Sequence, residues 1–307
     1  MLVKMKPCRL REMFLPWIQL FTLLPDRKST FIVIVMLFAG CSKSIVPDAQ
    51  PSQPFTTSKS TFDESASDSI GSTSPTSPSL PGIVRWETVP PLPHDVAIME
   101  TVFWEPADTE SLRAIIFNTP TITGSHVLEI GTGSGLVSLC CLQAGAAHVV
   151  ATDLNPNAVH NVRFNAADYG DDNRLEPRLV PRRNPDAWSV IKPDERFDFI
   201  ISNPPWENDQ PKTVAEFALY DPDFRLLDSL VKGARKRLRP EGRMWLAYGC
   251  VSAIRRVEML AQKERLLFVQ LDQRSLAELP EIFLPGMLLE LTVPPTESEL
   301  RGKQIAE

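Results

Sequence analysis

The chain is predicted to form an α/β fold in which a mainly parallel sheet carries helices on both of its faces. From residue 83 onward, short apolar runs alternate with amphipathic stretches, which is the pattern of strands alternating with helices. A glycine-rich turn at residues 131–135 lies between one such strand and the helix after it. The preceding segment, residues 46–82, is too poor in large apolar side chains to contribute a core.

Composition sets the first limits on function. The 307 residues are 43% hydrophobic and 23% charged, so the chain can bury a sizeable core. A net charge of −6 argues against a protein whose whole surface grips nucleic acid, although a local basic patch stays possible. The five cysteines and four histidines show no C-x-x-C spacing or ligand cluster, so we expect reduced thiols and no metal.

Residues 1–45 form a basic leader with seven Lys or Arg against two acidic residues. Its apolar run at residues 31–40 is too short to span a bilayer, which needs about 20 helical residues. The sequence LFAGC at residues 37–41 resembles a bacterial lipoprotein signal, which implies a membrane tether at Cys41. The alternatives are an apolar N-terminal helix or sequence upstream of the true start.

Residues 46–82 form the second region, in which 21 of 37 positions are Ser, Thr or Pro. This composition predicts a disordered linker. The third region, residues 83–307, is predicted to be one α/β domain. Its clearest strands are expected at residues 126–130, 148–152, 197–202, 243–248, 266–271 and 287–293, and its helices at 136–144, 157–169, 224–238 and 251–263.

The glycine turn is the first candidate binding element. Glycine tolerates a positive φ and leaves no Cβ between the backbone and a ligand, while the next helix offers unpaired N–H groups. A dinucleotide fingerprint needs G-x-G-x-x-G, but counting from Gly131 places Leu136 at its last position. The spacing therefore disfavours pyrophosphate binding. An ordinary tight turn is the alternative interpretation.

An acidic residue, Asp153, ends the next strand, 22 residues after Gly131. A carboxylate there can accept two hydrogen bonds from a ribose diol, which selects a nucleoside. Alternatively, it caps the helix that begins near Asn155. G-x-G-x-G after one strand with an acid after the next resembles the S-adenosyl-L-methionine (SAM) site of class I methyltransferases, in which an acid such as Glu129 precedes the glycines.

This resemblance implies a Rossmann-like class I methyltransferase sheet, mainly parallel, of about seven strands, with SAM as the cofactor. This resemblance and the two motifs described next imply a set of residues that contact the cofactor. They are Glu129, Gly131, Thr132, Gly133, Gly135, Asp153, Leu154, Asn203 and Thr109.

The tetrapeptide Asn203-Pro204-Pro205-Trp206 follows the strand at 197–202. Two prolines lack N–H groups and fix φ, so a stiff loop leaves the carboxyl end of the strand, where open α/β sheets bind ligands. The Asn203 side-chain oxygen and the Pro204 carbonyl are expected to accept both N–H bonds of a planar nitrogen. Trp206 is expected to stack on the planar substrate; alternatively, it only covers the core.

In such a fold, Asn-Pro-Pro followed by an aromatic residue resembles the signature of methyltransferases that modify planar nitrogens. These are amino-group DNA or RNA methyltransferases and protein glutamine N5-methyltransferases. Residues 102–112 (VFWEPADTESL) also resemble the segment that precedes the fold in the HemK-type, release-factor glutamine methyltransferase group. This implies that Glu105, Pro106 and Thr109 lie over the cofactor pocket. A helix start capped by Asp108 or Thr109 is the alternative.

Three departures from that group stand out. First, the group usually has Tyr or Phe where Trp206 stands. Second, the acidic residue with which the group contacts the adenine amino group has no clean match at residues 178–186, where Asp186 is the nearest candidate. Third, residues 46–82 cannot form the helical substrate-recognition domain of the group. Basic runs at residues 174–183 and 232–239 can contact phosphates, although such runs are usually solvated faces.

The resulting prediction is a SAM-dependent N-methyltransferase acting on a planar amide or amino nitrogen. The first choice of substrate is glutamine N5 of a protein, and the alternative is an adenine or guanine amino group in RNA or DNA. The alternative from a different functional class is a non-catalytic surface lipoprotein with a methyltransferase-like fold. Because SAM is made in the cytosol, we expect a cytoplasmic catalytic domain despite the signal-like pattern at Cys41.

Overall fold

A computed structural model describes residues 81–295 of the chain. The predicted leader, residues 1–45, and almost all of the predicted linker, residues 46–82, lie outside the described residues, as does the predicted anchor at Cys41. None of the helices in residues 81–295 combines the length and apolar character that a bilayer-spanning helix requires.

A seven-stranded sheet forms the centre of the described part, in the order β5-β4-β3-β6-β7-β9-β8. The first five strands in this order run parallel, and β9 is antiparallel to both of its neighbours. This confirms the predicted α/β class with a mainly parallel sheet. The strands are β3 (His126–Ile130), β4 (His148–Asp153), β5 (Leu175–Leu179), β6 (Phe197–Ser202), β7 (Leu238–Cys250), β8 (Leu267–Gln270) and β9 (Ile282–Thr292).

Helices cover both faces because successive side chains of each buried strand point in opposite directions. Val127 of β3 packs in one apolar core and Leu128 in the other. The first core includes residues of α1 (Glu110–Asn118), α2 (Leu136–Gln143) and α3 (Pro156–Asp168), and the second includes residues of α4 (Arg225–Arg237) and α5 (Val251–Lys263). The bounds of β3, β6 and α5 are those predicted.

A hairpin that the periodicity did not predict precedes the sheet. It consists of β1 (Ile83–Glu87) and β2 (Val96–Met99), which pair antiparallel. Two buried asparagines of α3 hold β2 against that helix. The amide of Asn161 accepts from the Met99 N–H at 2.7 Å and donates to the Ala97 carbonyl at 2.7 Å. Asn165 accepts from the Ala97 N–H at 2.9 Å, so side chains here take the place of a neighbouring strand.

Candidate active site

A cavity of about 410 Å³ opens at the carboxyl ends of β3, β4 and β6. Parallel strands bring these ends to one edge of the sheet, where ligands of open α/β folds bind. The loops after the three strands, the segment between β2 and α1, and residues 210–226 all contribute to its wall. Of the residues singled out from the sequence, the wall includes Thr109, Glu129, Gly131, Thr132, Gly133, Asp153, Leu154, Asn203 and Pro205.

The glycine turn needs its glycines for two different reasons. Gly131 has φ +76°, and an added Cβ would meet no atom within 4 Å, which fits a backbone that faces open space in the cavity. Gly135 has φ +87°, and its Cβ would lie 3.1 Å from a methyl carbon of Val162 on α3. Gly135 does not line this cavity, and its contact with the cofactor stays a prediction. Its role is close packing of the turn against α3.

Glu129 stabilises the glycine turn through hydrogen bonds to its side chain. Its carboxylate accepts from the Thr132 hydroxyl at 2.8 Å, from the Ser138 N–H at 3.0 Å and from the Ser138 hydroxyl. The side chain is 4% exposed, and burial raises the pKa of Glu129 to about 7 against these three hydrogen bonds, which lower it. The contacts tie the turn to the first turn of α2, so Glu129 fixes the shape of the turn.

Asp153 faces the cavity beside the glycine turn. Its two oxygens each accept one backbone hydrogen bond, from Gly133 at 2.9 Å and from Asn155 at 2.7 Å. Burial raises the pKa of Asp153, while these N–H groups lower it. The Leu154 N–H lowers the pKa of Asp153 as well, and because an ionised carboxylate has about four acceptor positions, acceptor capacity remains for a ligand hydroxyl. The side-chain cap of α3 is Asn155, which accepts from the Asn157 N–H at 3.0 Å, and Asp153 supports it through the Asn155 N–H; the contact of Asp153 with a ribose stays a prediction.

Asn203 lies at the end of β6 with its side-chain oxygen Oδ1 buried and without a hydrogen-bond partner. The strand end is fixed because the Ser202 hydroxyl donates to the Ile130 carbonyl at 2.6 Å. Pro205 lines the cavity, whereas Pro204 is buried behind it and is absent from the wall. The predicted use of the Pro204 carbonyl as a second acceptor stays a prediction, and Asn203 is the acceptor at the cavity wall.

Trp206 has a different position from the one expected. Its indole N–H donates to the Ala247 carbonyl at 3.1 Å, and the ring packs on the apolar core beneath the sheet's carboxyl end. A Cβ at Gly249 would lie 2.2 Å from the ring, and one at Gly286 would lie 3.0 Å from it. Trp206 does not line the cavity. In this arrangement Trp206 covers the core, as the alternative interpretation expects, and its stacking on a substrate stays a prediction.

The segment between β2 and α1 closes one side of the cavity. Glu105, Pro106 and Thr109 line the wall, and the Phe103 carbonyl would lie 3.7 Å from a Cβ at Gly133. Thr109 precedes α1 but makes no side-chain capping bond; its hydroxyl donates instead to the Pro106 carbonyl at 3.3 Å. The alternative of Thr109 as a side-chain cap is therefore not supported.

Sequence reasoning missed the second half of the wall. The residues after the Asn-Pro-Pro-Trp segment contribute Phe217, Tyr220 and Asp221, while the loop after β5 contributes Arg182 of the predicted basic run at residues 174–183. Asp186, the nearest candidate for the adenine contact, also lines the cavity, and its carboxylate accepts from the Trp188 N–H at 2.8 Å. The only available signal was position, because these loops follow strand ends.

No metal centre is evident in residues 81–295, since no group of three or more His, Cys, Asp or Glu side chains there is arranged to hold an ion. The cysteines in this range, Cys140, Cys141 and Cys250, are buried and free. Burial raises the pKa of Cys140 to about 12, which makes its thiolate rare at neutral pH.

The site fits SAM on the chain's own evidence. An open glycine backbone, the carboxylate of Asp153 with remaining acceptor capacity and the unpartnered oxygen of Asn203 meet at one cavity. Fold and site together define the domain of a class I SAM-dependent methyltransferase. Residues 108–260 match the family model described as the methyltransferase small domain, and this part of the chain is such a domain.

Two curated relatives carry different substrates in their names. The release factor glutamine methyltransferase of Cereibacter sphaeroides is 33% identical over 178 residues, which cover 54% of this chain and 55% of the relative. The tRNA1(Val) (adenine(37)-N6)-methyltransferase of Phocaeicola vulgatus is 32% identical over 124 residues, which cover 39% of this chain and 50% of the relative. The chain thus spans about half the length of these relatives.

A solved structure has a similar fold. It is the T. thermophilus 16S rRNA N2 G1207 methyltransferase (RsmC) in complex with AdoMet and guanosine. The TM-score is 0.50 at 20% identity, and the match covers 71% of this chain and 52% of that chain. At this identity the likeness concerns the fold alone.

Proposed function

We propose that the protein transfers a methyl group from SAM to a planar amide or amino nitrogen, and that its substrate is the side-chain amide of a glutamine in another protein. The observation that carries this proposal is the buried, unpartnered Oδ1 of Asn203 at the cavity wall. A buried acceptor without a partner costs about 1–3 kcal/mol, a cost that a substrate N–H removes on binding.

Asn203 has a chemical task in this reaction. An amide nitrogen is a weak nucleophile because its lone pair is conjugated with the carbonyl. When bound, SAM would supply an electrophilic methyl group and leave as S-adenosylhomocysteine, and the alkylated nitrogen would then lose one proton to water. By accepting an N–H bond, Oδ1 of Asn203 orients the nitrogen and stabilises the positive charge that develops on it. Asp153 holds the cofactor's ribose hydroxyls, and Glu129 keeps the glycine turn in shape.

The charge of the loop after Trp206 favours a protein substrate. Residues 207–223 contain five acidic residues and one lysine; the Asp221 carboxylate at the cavity is buried, and Arg225 lines the cavity next to this segment. A polyanion approaching this loop would be repelled, whereas a neutral or basic polypeptide would not. The relative named for glutamine methylation also matches over a longer stretch, 178 residues against 124 for the tRNA enzyme.

A second candidate is N-methylation of an adenine or guanine amino group in RNA or DNA. The 32% identity to a protein named as a tRNA adenine-N6-methyltransferase supports it. The exposed Arg182 and Arg183 beside the cavity can contact phosphates. The two candidates use Asn203 in the same way and differ in the macromolecule that docks.

The test uses tritiated SAM with protein and RNA fractions treated separately with protease and nuclease. We expect label that protease releases and nuclease does not; label confined to RNA would end the glutamine proposal. Asn203→Ala should keep SAM affinity and lose transfer, while Asn118→Ala, which changes an exposed asparagine at the end of α1, should keep both. Failure of the wild-type protein to bind SAM in calorimetry would leave the non-catalytic alternative.

The cellular location is part of the proposal. We propose a cytosol-facing catalytic domain, because a SAM-dependent enzyme needs the cytosolic cofactor pool. Labelling of Cys41 by metabolic palmitate would contradict this placement and would support a membrane tether instead.

A further inference from the structure

The Trp206 ring does not line the cavity in this structure. If stacking holds the planar substrate nitrogen, another aromatic side chain must contact the substrate. The Trp206 ring lies against the backbone of Gly249 and Gly286, and its N–H is bonded to the Ala247 carbonyl. Turning the ring toward the cavity would break this hydrogen bond and empty a packed part of the core.

The chain after Trp206 folds back into a loop, residues 207–221, that is closed at its base. The Glu207 N–H donates to the Leu219 carbonyl at 3.1 Å, and the Asp221 N–H donates to the Glu207 carbonyl at 2.8 Å. Asp221 then anchors the loop, since its carboxylate accepts from the Leu226 and Leu227 N–H groups at 2.9 Å each. The loop is therefore fixed to the end of β6 and to the start of α4.

Two aromatic residues of this loop line the same cavity as Asn203. Phe217 belongs to the 3-10 helix Ala215–Ala218, and Tyr220 forms a parallel bridge with Glu207. Both side chains are half-buried. Among the described residues, the Tyr220 hydroxyl has no hydrogen-bond partner and is not sealed in the interior.

We propose that Phe217 and Tyr220 form the aromatic wall that holds the planar amide of the substrate glutamine beside Asn203. This inference rests on the proposed function and names the residues that set its substrate specificity. Aromatic faces favour flat groups and the positive charge that grows on an alkylated nitrogen. Tyr220 also brings a hydroxyl that is free to donate to the amide carbonyl of the substrate.

The kinetic test uses Phe217→Ala and Tyr220→Ala with a glutamine-containing peptide and, in a second arm, an RNA hairpin with an unpaired adenosine. We expect kcat/KM for the peptide to fall about tenfold or more in each variant, with the Kd for SAM within twofold of wild type. Leu219→Ala is the matched control, because this exposed side chain lies between the two aromatics and does not line the cavity. Unchanged peptide kinetics in both variants, or an effect confined to RNA, would overturn the inference.

A chemical readout does not depend on turnover. The chain has three tyrosines: Tyr248 is fully buried, Tyr169 donates to the His94 carbonyl and has a pKa raised by burial to about 12, and Tyr220 is open. Tetranitromethane should therefore nitrate Tyr220 first, and the peptide with S-adenosylhomocysteine should protect it. Nitration that the peptide does not slow, or an unreactive Tyr220, counts against the wall. A wild-type protein that transfers no methyl group at all would refute the proposed function instead, while Tyr220 protection would still be measurable.

Discussion

The side-chain amide of Asn165 donates a hydrogen bond of 2.9 Å to the backbone carbonyl of Ser134. The same amide also donates to the Ala97 carbonyl at 3.0 Å. Asn165 is fully buried. One side chain on α3 therefore joins the glycine turn to β2, the strand that leads into the segment closing the cavity, and the two walls of the cavity share a support.

Asn165→Ala should weaken both stability and cofactor binding. It removes the side-chain partner of the Ala97 N–H and of the Ser134 carbonyl, at about 1–3 kcal/mol each, while the Ala97 carbonyl keeps its bond from Asn161. We expect the free energy of unfolding to fall by about 3 kcal/mol in chemical denaturation and SAM affinity to fall severalfold in calorimetry at a temperature where the variant is folded. Asn157→Ala, which removes exposed bonds to Glu100 and Thr101, should cost under about 1 kcal/mol. Equal effects of the two variants would argue against the shared support.

Glu129 should make stability depend on pH near neutrality. Its pKa is raised from 4.5 to about 7 in the folded protein, so between these values the folded state binds a proton that the unfolded state does not. The free energy of unfolding should therefore fall as pH rises from about 5 to 7, by up to about 1.4 kcal/mol per pH unit from this group. In Glu129→Gln this part of the slope should vanish, as measured by urea unfolding at several pH values. The contributions of Asp108 and Asp153, whose pKa values are also raised, remain in both proteins.

Gly131 and Gly135 should respond differently to alanine. Gly135→Ala adds backbone strain at φ +87° and a contact of 3.1 Å with Val162, so we expect a loss of about 2 kcal/mol, part of which Val162→Ala restores. Gly131→Ala adds strain at φ +76° without any contact within 4 Å. Its main effect should be on SAM affinity, because the methyl group enters the cavity. Thermal unfolding with and without SAM separates the two effects.

Asp153→Asn should reduce SAM affinity by about ten- to a hundredfold. The amide keeps one oxygen acceptor but turns an NH₂ group toward either the Gly133 N–H or the ribose hydroxyls, and it loses charge-assisted hydrogen bonds. Calorimetry at pH 7.5 checks the loss. A variant that binds SAM as tightly as wild type would place the ribose contact elsewhere on the cavity wall.

The sequence was sufficient to predict a mainly parallel sheet and to predict that the candidate site residues lie together at one edge of it. Both predictions follow from the order of strands and helices along the chain. Apolar periodicity placed β3, β6 and α5 at their observed bounds, and parallel strands necessarily bring the ends of β3, β4 and β6 to one edge. β5 was missed because its sequence LEPRL contains charges and Pro177 where apolar residues were sought.

The orientation of Trp206 depends on distant residues that no local pattern reveals. Gly249 and Gly286 leave room for the ring, and they lie 43 and 80 positions further along the chain. The buried amides of Asn161 and Asn165 were equally hidden, since asparagine on a helix is ordinarily a surface residue. Contacts between residues that are far apart in the sequence therefore determine the parts of the site that the sequence alone did not predict.

The main-chain closure of residues 207–221 has an evolutionary consequence. Because backbone atoms join Glu207 to Leu219 and Asp221, the side chains of Phe217 and Tyr220 are not needed for this closure, whereas the Glu216 carboxylate helps to hold the loop by accepting from the Lys212 N–H at 2.6 Å. Other residues could therefore replace those between Glu207 and Leu219 while the backbone closure is kept. Such an exchange should change which substrate is methylated and leave the glycine turn and Asp153 unchanged.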